Sequence, residues 1–132
     1  MADERPHFPA TDGLSPPAGY SHVVGIPPGR LVWTAGQVGM DADGAVADGL
    51  EAQARLAFEN VGRALEAAGA GWRDVVKLTF FVTDLSELPA VRAIRDEFVH
   101  TASPPTSTLV QVAGLFRPDL LVEVEAVAWL PA

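Results

Sequence analysis

The chain contains no cysteine. That excludes disulfides, thiolate metal sites and a cysteine nucleophile, and it is compatible with a reducing cytosol. Basic residues are scarce as well: 9 Lys and Arg stand against 17 Asp and Glu, for a net charge of −8, and they form no cluster. Phosphate backbones are gripped mainly through clustered cations, so a nucleic-acid partner is disfavoured. No apolar run approaches the roughly 18 to 20 residues that cross a bilayer. The N-terminus, Met1-Ala2-Asp3-Glu4-Arg5-Pro6, is acidic and leads into no apolar segment. Neither a membrane association nor a targeting leader is therefore expected, and the cytoplasm is the default location.

What remains is an ordinary globular composition, 48% hydrophobic and 20% charged over 132 residues, enough for one domain with a real core. Residues 1–19 hold Pro6, Pro9, Gly13, Pro16, Pro17 and Gly19 without periodicity and read as an irregular arm ahead of a single domain over 20–132. Two short β-rich runs, 20–26 and 31–35, flank Pro27-Pro28-Gly29-Arg30 and predict a hairpin. Gly36-Gln37 then breaks the strand pattern. Asp41-Ala42-Asp43-Gly44 predicts a turn; the further ligands of a calcium loop are missing.

Asp48-Gly49-Leu50-Glu51 has the form of a capping box. Behind it Leu50, Ala54, Ala57, Phe58, Val61, Ala64, Leu65 and Ala68 recur at helical spacing until Gly69. The strongest strand, 75–83, places Val76, Leu78, Phe80 and Val82 on one face. A second helix is expected from Asp84 or Ser86 to about His100, with Arg92 and Arg95 on its exposed flank. Strands at 106–113 and 120–129 close the chain. The last of these carries Glu123 and Glu125 on one face and Val122, Val124 and Ala126 on the other.

This order predicts an α+β fold, a mixed sheet with two helices on one face. The other face, expected to carry Val75, Phe81, Leu109, Leu121, Val127 and Trp129, is too apolar to stay in water, so a homo-oligomer is expected. Trp33, Trp72 and Trp129 read as packing residues. His7, His22 and His100 lack metal-ligand spacing, and no cofactor or metal is expected. A triad of Ser107, His100 and Asp119 has no nucleophile-elbow pattern behind it.

Tyr20-Ser21-His22, Thr34-Ala35-Gly36-Gln37, the helix with Asn60 and Ala67-Ala68-Gly69, the run from Asp74 to Asp84, and Val122-Glu123-Val124-Glu125-Ala126-Val127-Ala128 together resemble the Rid superfamily, the YjgF-like reactive intermediate deaminases. The resemblance runs from about Tyr20 to Trp129. It implies a chorismate-mutase-like fold, a barrel-like homotrimer and small-molecule clefts between subunits, where imines or enamines such as 2-aminoacrylate are hydrolysed without metal or cofactor. It also implies an arginine on the strand after Pro105, and that position holds Ser107. A guanidinium grips a carboxylate with two charge-assisted bonds; a serine hydroxyl offers one neutral donor. At roughly 1.5 to 3 kcal/mol for each charged bond, recognition of a carboxylated imine falls by orders of magnitude.

By the same resemblance Glu123 positions the attacking water and relays a proton, with Tyr20 and Ser107 beside it as the catalytic set. Ala35, Gly36, Arg92, Thr108, Leu109 and Gln111 contact the substrate. Ala35 stands where the family has serine, and Arg92 where it has asparagine, from which a cation could reach the cleft by another direction. Partial burial is expected to raise the Glu123 pKa. A non-catalytic binding or regulatory trimer is the main rival reading; an endoribonuclease, disfavoured by the charge, is another.

Overall fold

Alternation in the last quarter of the chain produces the strand on which the sheet is assembled. The computed structural model describes residues 4–132. In chain order its elements are β1 (Gly29–Trp33), β2 (Gln37–Val38), α1 (Leu50–Ala67), a 3-10 turn (Trp72–Asp74), β3 (Val75–Val82), α2 (Leu88–Phe98), β4 (Thr106–Gln111) and β5 (Val122–Pro131). The sheet runs β1-β5-β3-β4, with β2 also paired to β5. Among the paired strands named, β3 and β4 run parallel, as the intervening α2 allows, and the other pairs run antiparallel. The fold is thus the expected α+β, a mixed sheet with two helices.

Helix α1 forms because its small and apolar residues fall on one stripe. Ala54, Ala57, Phe58, Val61 and Leu65 are wholly buried against Leu78, Phe80 and Val82 of β3 and Val122, Val124 and Ala126 of β5. Val91 and Ile94 of α2 join the same core, so both helices cover one sheet face. Phe58 is its centre, with Phe98, Trp72 and Phe80 at ring distances of 5.3, 5.2 and 5.7 Å. The opposite face is bare and partly apolar: Trp33 is 72% exposed, and Leu31 and Val110 are also exposed.

Several local expectations give way. Residues 20–26 form no strand; they touch the sheet through one bridge, Ser21 to Thr106, and the arm through another, Gly25 to His7. Pro27 and Pro28 cannot donate to a ladder, and Gly29 and Arg30 already belong to β1, which pairs with β5 instead of its chain neighbour. Gln37 is not a break but the first residue of β2. The N-cap of α1 is Gly49 at φ 85°, not Asp48, and no side chain caps it. Asp84 does not cap α2 either; it accepts from the Ser86 amide and hydroxyl, 2.9 Å each, in a turn ahead of the helix.

The bare face also differs in membership. A register shift between Val75 and Lys77 makes room for an extra residue there, so Val75 and Val76 are both buried. Trp129 is buried too, its indole N–H donating to Pro27 O at 3.0 Å. Leu109 pairs with Phe80 and therefore lies on the helix side. Trp72 packs as expected, whereas Trp33 does not. The Asp41 turn is real, with Asp41 Oδ1 accepting from the amides of Asp43 and Ala45 at 2.9 Å.

One buried polar residue ties the layers together. Gln53, 2% exposed, donates to Ala47 O at 3.1 Å and Asp119 O at 2.9 Å and accepts from the Leu121 amide at 2.8 Å. It satisfies two backbone groups where the chain enters β5 and one in the segment ahead of α1. Replacing it by leucine keeps the bulk and strands those groups, so Gln53→Leu is expected to cost about 3 kcal/mol in urea unfolding. A change under about 0.5 kcal/mol would show that the clamp is idle.

Candidate functional site

Strand parity decides where each candidate side chain goes. On β4, Ser107, Leu109 and Gln111 pair with Leu78, Phe80 and Val82 of the core face, whereas Thr108 pairs with Thr79 of the bare face. On β5, Glu123 pairs with Phe81 and Glu125 with Thr79, also on the bare face. The candidate residues therefore fall into two groups on opposite sides of one sheet.

The first group lines a cavity of about 350 Å³ between α2, β4 and the segment before β1. Tyr20, Arg92, Ser107 and Leu109 belong to it, floored by Phe80 and walled by Leu88 and Val91. Arg95, placed on the exposed flank by helical spacing, is instead 6% exposed and lines the same cavity. The N-terminal segment covers that side of α2, which helix periodicity alone does not reveal. Gly19, at φ 77°, lets it do so: a Cβ there would lie 2.2 Å from Arg95 Nη2. Neither Thr108 nor Gln111 lines this cavity.

The second group is Glu123 with Gly36 and Ala35. Glu123 lies over the Gly36 backbone so closely that a Cβ on Gly36 would sit 2.5 Å from Glu123 Oε2. Thr34 holds this loop to β5 in both directions, its amide donating to Ala126 O at 3.0 Å and its hydroxyl accepting from the Ala126 amide at 3.1 Å. Asn60 braces it from α1, donating to Val38 O and Met40 O at 2.9 and 2.8 Å. No residue of this group lines the cavity around Ser107.

The chemistry-bearing atoms are open for use. Among the described residues, nothing hydrogen-bonds to the Glu123 carboxyl, the Tyr20 and Ser107 hydroxyls or the Arg92 guanidinium. It is the neighbouring Thr106 whose hydroxyl is spent, on Val76 O at 2.8 Å. Burial, with the Glu125 charge as a second cause, raises the Glu123 pKa above the usual carboxyl range. A triad is not assembled: His100 Nδ1 accepts from the Ser103 amide at 3.2 Å and Asp119 is paired with Arg117 at 2.8 Å. A larger cavity of about 530 Å³ lies beneath the arm, beside Phe8, Arg73 and Trp129, and holds none of the catalytic candidates.

The family model described as Endoribonuclease L-PSP matches residues 11–130. The 2-iminobutanoate/2-iminopropanoate deaminase of Salmonella typhimurium is 42% identical over 110 residues, 81% of this chain and 85% of that protein. Among solved structures, YyfB of Yersinia pestis, from the conserved Rid protein family, superposes with a TM-score of 0.82 at 30% identity, over 96% of this chain and 99% of that one. Escherichia coli TdcF with bound serine superposes with a TM-score of 0.69 at 31% identity, over 92% and 93%.

The raised Glu123 pKa has a signed consequence for stability. A carboxyl that binds its proton more tightly when folded loses stability as pH climbs from the ordinary glutamate range through the raised value. Glu123→Gln is therefore expected to raise the melting temperature at pH 7 and to leave it unchanged below about pH 4, where both forms are neutral. A stabilisation that persisted undiminished in acid would sink that assignment.

Proposed function

The chain belongs to the endoribonuclease L-PSP family, the Rid or YjgF-like superfamily, and from that premise we propose that it hydrolyses an imine or enamine without a metal. The observation that carries the reading is the free Glu123 carboxyl, raised in pKa and held over Gly36. An acid tuned towards neutrality is suited to pass a proton both ways. Water adds to the C=N carbon as Glu123 takes one of its protons and hands it to nitrogen, giving the carbinolamine; Glu123 then relays the hydroxyl proton to the same nitrogen, the C–N bond breaks, and ammonia departs, leaving the carbonyl.

The reaction takes place in a cleft between copies of this chain, in a homotrimer. Two observations support that. The cavity bearing Tyr20 and Ser107 and the face of β5 bearing Glu123 lie on opposite sides of the sheet, so one copy by itself supplies only half of a site to either side. The bare face with Trp33 and Val110 also offers the apolar area that association would cover. Tyr20 and Ser107 orient the substrate, and Gly36 and Ala35 let its reacting end approach Glu123.

Small carboxylated imines such as 2-aminoacrylate are handled weakly or not at all, because Ser107 stands where a guanidinium would hold their carboxylate. Ammonia release by wild type, Ser107→Arg and Glu123→Gln, from 2-aminoacrylate and from an imine without an adjacent carboxylate, tests this. Ser107→Arg is expected to gain about tenfold or more on 2-aminoacrylate. Glu123→Gln is expected to lose about a hundredfold or more on any imine that the wild type accepts. Wild-type turnover of 2-aminoacrylate undiminished against an arginine-bearing relative would refute the role given to Ser107. Ligand binding with no imine turned over would favour a non-catalytic binding protein.

A further inference from the structure

The cavity beside α2 is chemically unlike the rest of the surface. In a chain of net charge −8, it is lined by two guanidiniums, Arg92 and Arg95, and, among the described residues, by no carboxylate. Arg95 is held in place. Its side chain is 8% exposed, its Nε donates to Asp96 Oδ1 at 2.9 Å, and Nη2 lies against Gly19. Its two terminal nitrogens find no acceptor among the described residues. A shielded guanidinium with spare donors facing a cavity is a prepared fork for an oxyanion, since a planar carboxylate can accept from both nitrogens at once. Arg92, exposed and unpaired among the described residues, adds a second charge to the same cavity.

We propose that this cavity selects substrates by a carboxylate set several bonds away from the C=N carbon, gripped from α2 by Arg95 with Arg92 assisting. The cation absent from β4 at Ser107 is thus supplied from the helix across the cavity. A volume of about 350 Å³, room for about a dozen waters, fits such an extended molecule better than 2-aminoacrylate, whose carboxylate adjoins the reacting carbon. Ser107 and Tyr20 then face the uncharged end. This rests on the reading above that the cavity is half of the reaction site, and it names the substrate class for that site.

Calorimetric titration of the full chain with three carbonyl compounds tests the inference without needing turnover. 4-Oxopentanoate has its carboxylate remote from the carbonyl, pyruvate has it adjacent, and 4-oxopentanamide lacks the charge. Wild type is expected to bind 4-oxopentanoate about tenfold or more tightly than either of the others. Arg95→Met should abolish that preference, Arg95→Lys should keep part of it, and Arg92→Met should reduce it less. Should Arg95→Met fail to fold, because Asp96 loses its partner, Arg95→Lys and Arg92→Met carry the test. Equal binding of the three compounds, or a preference untouched by the arginine variants, overturns the inference. A preference that depends on Arg95 in a protein that hydrolyses no imine would leave it standing while the deaminase reading fell.

Discussion

A β-strand has a repeat of two residues, and that constraint governs everything functional in this chain. Once β5 is in register with β3, Val122, Val124 and Ala126 must face the helices, and Glu123 and Glu125 must face away from them. The parallel pairing of β3 with β4 then sends Ser107 and Leu109 to the helix side and Thr108 to the bare side. A slip of one residue would exchange the two sets on the strand that slipped, and on β5 it would bury the acids. The polar clamp of Gln53 guards the entry to β5 against such a slip.

From this alternation the site acquires its electrostatic division. Acidic chemistry sits on the bare face, where partial burial and, second to it, the Glu125 charge raise the Glu123 pKa. Cationic chemistry sits behind the sheet, where α2 brings Arg92 and Arg95 to a cavity that no acid among the described residues lines. The two kinds of group are insulated by the sheet within one copy. Neither neutralises the other, so both remain available to a ligand or to a neighbouring copy. The Arg95–Asp96 pair keeps a buried charge tolerable while leaving donors over.

The parts legible in advance were those set by local periodicity. The stripe on α1, the alternation of β3 and β5 and the turn at Asp41 follow from side-chain spacing, and the structure has them. The parts that were not legible depend on partners distant in sequence. Residues 20–26 have strand composition but lie beyond two prolines that divert the chain, and they meet β4 by one bridge only. Gln53 looks like a polar interruption of an apolar stripe until Asp119 and Leu121 are brought to it. Arg95 lies on a flank that is exposed for the isolated helix and covered only when Gly19 folds over it.

By itself, then, the amino-acid order determined the helices and principal strands and the separation of acidic from apolar residues along β5. Those are properties of neighbours a few residues apart, where backbone geometry leaves one arrangement. Only the tertiary structure decided that Glu123 and Ser107 lie on opposite sides of the sheet, and that a second arginine stands beside Ser107 in the same cavity. Both depend on register and on loop closure, and these are set by which buried groups find partners when the whole chain packs.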